Sequence, residues 1–179
     1  MNFRATRTLA AALLASSCGL AIGASPATTT FQVSATVVSN CIIVSAGAMA
    51  FGSYTPGNGV AANIDVDSTI QVRCSSGTAY GIGLNEGVAA GSTPSFSPRV
   101  MTSSVTGTLE YNLFTDTGRT IPWVNPTATT AVTGNQANTG GGMNVTRSHT
   151  VYGRLLDSTT SRAAMPGDYS SLVTVTVNY

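Results

Sequence analysis

Lysine is absent from this chain. Its eight basic residues are all arginine, set against seven acids for a formal charge of +1. With no basic patch, the electrostatic footprint of a nucleic-acid binder is missing. Histidine occurs once, at His149, so no second imidazole or cysteine cluster completes a typical zinc site. Neither a G-x-S-x-G nucleophile elbow nor a phosphate-binding loop is present. Long amphipathic stripes are also missing: beyond the N-terminal stretch, no segment of about ten residues or more carries an uninterrupted helical apolar pattern. These absences leave no implied cofactor, metal or catalytic residue, and the expectation is of a protein that is not an enzyme.

The acids beyond the N-terminal stretch are Asp65, Asp67, Glu86, Glu110, Asp116, Asp157 and Asp168. A glycosidase needs two carboxylates facing one cleft. Asp65 and Asp67 share one strand face, where the commoner role is solvation. Asp116 and Asp168 stand in turn contexts, "TDTG" and "PGDY", where Asp stabilises backbone geometry. The sequon Asn144-Val145-Thr146 is read as chance. Trp123 and the tyrosines suit packing better than a sugar platform.

What is present begins with a leader. "MNFRATRTLAAALLASSCGLAIGASPA" has Arg4 and Arg7, an apolar run and then small residues, the layout of a secretory signal peptide spanning residues 1–24, with cleavage between Gly23 and Ala27. A retained anchor and lipidation at Cys18 are the weaker readings. Removal of Cys18 leaves Cys41 and Cys74, which in an exported chain most simply form one disulfide; two buried free thiols are the alternative.

Period-two alternation then recurs along the chain. It gives rows Phe31, Val33, Ala35 and Val37; Ile70, Val72 and Cys74; Tyr80, Ile82 and Leu84; Leu109, Tyr111 and Leu113; and Val151, Gly153 and Leu155. Turn signals such as "TPGNG", "SSGT", "TDTGRT" and "MPGD" separate them. Short strands at this rhythm predict an all-β sandwich of one domain. The last segment, "LVTVTVNY", puts Val173, Val175, Val177 and Tyr179 in one row and carries no residue that would blunt a sheet edge.

Five stretches, in order, resemble the spore coat protein U-like domain family, the Csu-type (archaic) chaperone–usher pilins. They are "VVSNCIIVSAGAMAFGSYTP", "IQVRCSSGTAYGIGLNEG", "LEYNLFTDTGRTIPW", "VYGRL" and "PGDYSSLVTVTVNY". The resemblance implies an incomplete immunoglobulin-like sandwich lacking its last strand. It also implies export, a periplasmic chaperone, an outer-membrane usher and polymerisation with neighbouring subunits. On this reading residues 25–38 are a donor-strand extension and residues 39–179 the pilin domain. Phe31, Val33, Ala35 and Val37 would plug a neighbour's groove. Val173, Val175, Val177 and Tyr179 would form the groove edge that the chaperone covers first. The implied role is a shaft or minor subunit supporting adhesion and biofilm formation on the surface of a Gram-negative cell. A secreted monomeric β-sandwich that binds carbohydrate or a host surface is the alternative.

Overall fold

The computed structural model of the protein describes residues 25–57, 63–87, 98–125 and 136–179. The leader read at residues 1–24, with Cys18, lies outside them. The alternating segments become strands: β1 (Cys41–Ala46), β2 (Ile64–Cys74), β3 (Ala79–Leu84), β4 (Arg99–Thr102), β5 (Thr108–Phe114), β6 (Ala137–Thr139), β7 (Arg147–Leu155) and β8 (Val175–Asn178). One short helix, α1 (Thr159–Arg162), starts where the Ser158 hydroxyl accepts the Ser161 N–H, an N-cap.

The strands form a five-stranded sheet ordered β1-β2-β7-β5-β4 and a three-stranded sheet ordered β6-β3-β8. Their pairings are antiparallel. Strands far apart in sequence pair (β2 with β7, β3 with β8), and the chain passes repeatedly between sheets, as in an immunoglobulin-like sandwich. The inward rows meet as one core: Ile70, Val72, Tyr80, Ile82, Tyr111, Leu113 and Val151 gather around Trp123. Burying each such side chain contributes about 1.5–3 kcal/mol.

Polar links tie the two layers. The Trp123 indole donates to the Ile82 carbonyl at 2.9 Å, and the Gln136 amide donates to the same oxygen at 3.2 Å and to Val124 O at 3.0 Å. Arg99, fully buried, donates to the carbonyls of Asn85 (3.0 Å), Leu84 (3.3 Å) and Trp123 (2.6 Å). Burial pushes its pKa down to about 10. On the outer face Asp65 takes a bidentate pair from Arg154 at 2.7 and 2.8 Å, and the hydrogen bond from Arg154 holds its carboxyl below the usual range. Asp67 pairs with Arg119 at 2.7 Å. These exposed pairs contribute little to stability, and they occupy the two acids that share a strand face.

Cys41 stands opposite Cys74 in the β1–β2 ladder, and the two sulfurs are bonded. The bridge closes a loop with a sequence separation of 33. On the chain-entropy account, its reduction should lower the unfolding free energy by about 3–4 kcal/mol. Denaturant titration of oxidised against reduced and alkylated protein checks this; a difference below about 1 kcal/mol would overturn it.

Candidate functional site: an open groove and an exposed alternating segment

Strand β8 is built from alternating valines and pairs with β3 along one edge, from Leu84↔Val175 to Gly81↔Asn178. Among the described residues nothing pairs with its other edge. Val173, Val175 and Val177 turn inward and pack on the core. Tyr179 lies past the last rung of the ladder and is 54% exposed, so it does not continue the inward row.

Strand β1 is likewise an outer strand, at the far side of the five-stranded sheet. Its β-branched residues Ile42, Ile43 and Val44 are 43%, 42% and 40% exposed. Between the end of β1 and the start of the terminal strand lies a cavity of about 380 Å³, lined chiefly by Met49, Phe51, Ile70, Leu113, Val173 and Val175. A second hollow of about 640 Å³ shares Met49, Phe51 and Met101 with it and runs to the loop around Met165 and Tyr169.

One wall of the groove is the segment after β1. Met49 packs where Gly153, in the inward row of β7, has no Cβ: a methyl there would collide with the Met49 sulfur. That is why the row Val151–Gly153–Leu155 is interrupted by glycine. Further along, the Tyr54 hydroxyl and the Gly57 N–H both donate to Asp157, whose carboxylate also pairs with Arg162 at 2.8 Å. Burial, then the Asp157 hydrogen bond, pushes the Tyr54 phenol up to about 12. This latch fixes the wall without filling the groove.

Among the hydroxyls that line the groove, Ser68 donates to the Gly47 carbonyl at 2.7 Å. Tyr111, only 4% exposed, and Ser171 present hydroxyl oxygens that are shielded from solvent and have no partner besides each other. Burial raises the Tyr111 phenol pKa, and its hydrogen bond with the Ser171 hydroxyl acts the other way. Both oxygens lie within 3 Å of where a Cβ on Gly87 would sit, at 2.9 and 2.5 Å, and Gly87 has φ +85°.

Residues 25–40 have no regular secondary structure, and each is exposed. The alternation at 31–37 is therefore not realised as a strand here: a strand without a partner leaves its N–H and C=O groups unpaired. Phe31, Val33 and Val37 are 86%, 81% and 89% exposed, and Ala35 is exposed too. The segment meets the sandwich at Asn40, whose N–H donates to Ser75 Oγ at 3.1 Å and whose carbonyl accepts from Ser75 N at 2.9 Å.

His149 is buried and shares a 2.9 Å hydrogen bond with the Tyr80 hydroxyl, a core role. Asp116 accepts the N–H groups of Thr120 and Ile121 at 3.0 and 2.7 Å, a turn role. Among the described residues no cluster of His, Cys, Asp or Glu could hold a metal. Sequence reasoning missed the Tyr111–Ser171 pair, the Arg99 brace and the Asp157 latch. A signal for the first existed: Ser171 has the same parity as Val173 and Val175.

Three comparisons bear on this geometry. The model of the family described as Spore Coat Protein U domain matches residues 27–176. No curated protein is significantly similar. Among solved structures, a chain in the CsuC–CsuE chaperone–tip adhesion subunit pre-assembly complex, from the archaic chaperone–usher Csu pili of Acinetobacter baumannii, is similar in fold. It has a TM-score of 0.50 and 22% identity, over 80% of this chain and 40% of that one. This chain thus spans well under half of that chain's length. The P pilus rod subunit PapA aligns with a TM-score of 0.47 and 14% identity, over 78% of this chain and 98% of that chain.

Proposed function

Because the chain belongs to the Spore Coat Protein U domain family, we propose that it is a structural pilin, a shaft or minor subunit of a chaperone–usher pilus that grows by donor-strand complementation. The observation that carries the reading is a pairing of opposites in one chain. An apolar groove opens beside the edge of β8 that pairs with no strand among the described residues, and an exposed segment carries an apolar row of the same period. Strand addition would give the incoming backbone its hydrogen bonds and the groove its missing side chains. In this role residues 25–38 are the donor extension and residues 39–179 the accepting domain.

A periplasmic chaperone would cover the groove along Val173, Val175 and Val177 until an outer-membrane usher joins the subunits. The product is a surface pilus serving adhesion and biofilm formation. The subunit acts by assembly and not by catalysis.

A synthetic peptide of residues 28–38, added to chaperone-bound subunit, should displace the chaperone and raise the subunit's melting temperature. A peptide with aspartate at position 33 should do neither. Equal behaviour of the two peptides, or a subunit that never associates with a chaperone, would overturn the reading.

A further inference from the structure

We propose that Tyr111 and Ser171 form a polar register stop in the groove, so that the strand entering from a second copy of this chain seats only where its apolar row turns small, at Ala35. This rests on the donor-strand reading above and deepens it: it names the residues that fix where the strand halts.

The groove is apolar along most of its floor, so on hydrophobicity alone a strand with a repeating row could sit two residues to either side with similar burial. The two hydroxyls break that degeneracy. Both oxygens are shielded from solvent and have no partner besides each other, and Ser171 lies in the same inward row as Val173 and Val175. A branched side chain pressed onto them would seal off the hydrogen-bonding capacity that the pair does not satisfy between themselves, which is unfavourable. An alanine methyl leaves room for one water. Such a water needs two to four polar partners, and the two hydroxyls plus the incoming backbone supply them.

The register follows. The pairings in both sheets are antiparallel, and a strand added in that sense to the edge of β8 and continued along residues 171–174 that lead into it, with Ala35 beside Ser171, sets Val33 beside Val173 and Phe31 beside Val175. Those three residues of the terminal segment line the 380 Å³ cavity, and Val177 does not. The largest donor side chain thus reaches the cavity. A slip of two residues one way puts Val37 on the hydroxyls and moves Phe31 out to Val177. The same slip the other way puts Val33 on the hydroxyls and brings Thr29 to the cavity. A slip of one residue turns the whole row to solvent. Residues 36–39 remain as spacer before Asn40, which is bonded to Ser75 of its own subunit.

The test uses full-length chain assembled into polymers, with subunit release in denaturant followed over time. Ala35→Val should speed release about tenfold, the consequence of sealing the hydroxyls. In a Tyr111→Phe/Ser171→Ala background the same substitution should leave release unchanged or slow it, since the added methyls now meet only apolar atoms. Ala35→Ser should be tolerated in the native groove and lose that tolerance in the double variant. If the double variant does not accumulate, Ser171→Ala alone serves, with a smaller but same-signed rescue. Polymers that form normally but show the same Ala35→Val effect in both backgrounds overturn the register stop and leave the pilin reading intact. A native chain that never assembles overturns both.

Discussion

Val33→Asp should abolish polymer growth while the subunit itself still folds. Val33 is 81% exposed, and the segment around it makes no strand within the chain, so a carboxylate there costs the isolated domain little. In a neighbour's groove the situation reverses. The valine would contribute about 1.5–3 kcal/mol on burial, whereas an aspartate would have to lose its hydration with no cation to meet it. The groove lining offers none among the described residues: it is mostly apolar, with the hydroxyls of Ser68, Tyr111 and Ser171 and no basic side chain. The variant keeps its own groove intact and should cap growing chains as a terminator. Co-expression with native subunit should therefore shorten the ladders on a gel in proportion to the variant's share. Ladders of undiminished length and amount would show that this segment is not the donor.

The second large effect lies in the core. Arg99→Ala should destabilise the sandwich by about 3 kcal/mol or more, from carbonyls left without a donor and the space left by the side chain. Arg99 holds the backbone of Leu84 and Asn85, at the end of β3, to that of Trp123, and it does so with no exposed surface. For a chain of this size that amounts to a fall in melting temperature of about 6–12 °C. Arg99→Lys should recover only part of the loss, because an ammonium cannot present the guanidinium's planar fork. Calorimetry on assembled protein reads the difference. An unchanged melting temperature in Arg99→Ala would mean that the three carbonyls find other donors.

The sandwich was legible where alternation is strict. Tyr80, Ile82 and Leu84, or Leu109, Tyr111 and Leu113, are buried as their period requires, and Gly153 holds its place in a row because Met49 fills it. The extension was legible as alternation but not as structure, since a strand is a property of two partners and this segment has no strand partner among the described residues. The stretch 125–142 reads from sequence as either a poorly hydrophobic edge strand or a surface loop, and β6, "ANT", is an edge strand within it; its three residues are exposed and none is strongly apolar, so the pattern does not fix its place. Arg99 and Asp157 escaped for a different reason. Charge in a sequence argues for the surface, and only the convergence of carbonyls on one and of Tyr54, Gly57 and Arg162 on the other makes their burial tolerable. The groove was readable only in part: the valine row announced its edge, while the segment from Met49 to Tyr54 that forms its wall has no period to betray it.

The disulfide has a mechanical consequence. A tensile load applied to the N-terminal segment passes the Asn40–Ser75 hydrogen bonds and reaches β1 at Cys41, its first residue. In an antiparallel ladder pulled from that end, the rungs would fail one at a time, beginning with Cys41↔Cys74 and running toward Ala46↔Ile70. A covalent bond occupies that first rung. Force therefore passes directly into Cys74 and the long strand β2, and the β1 hydrogen bonds beyond the bridge are shielded from the load instead of peeled in sequence. Under stretching, the oxidised subunit should hold until β2 itself is torn from β7, whereas the reduced subunit should lengthen early and at low force as β1 unzips.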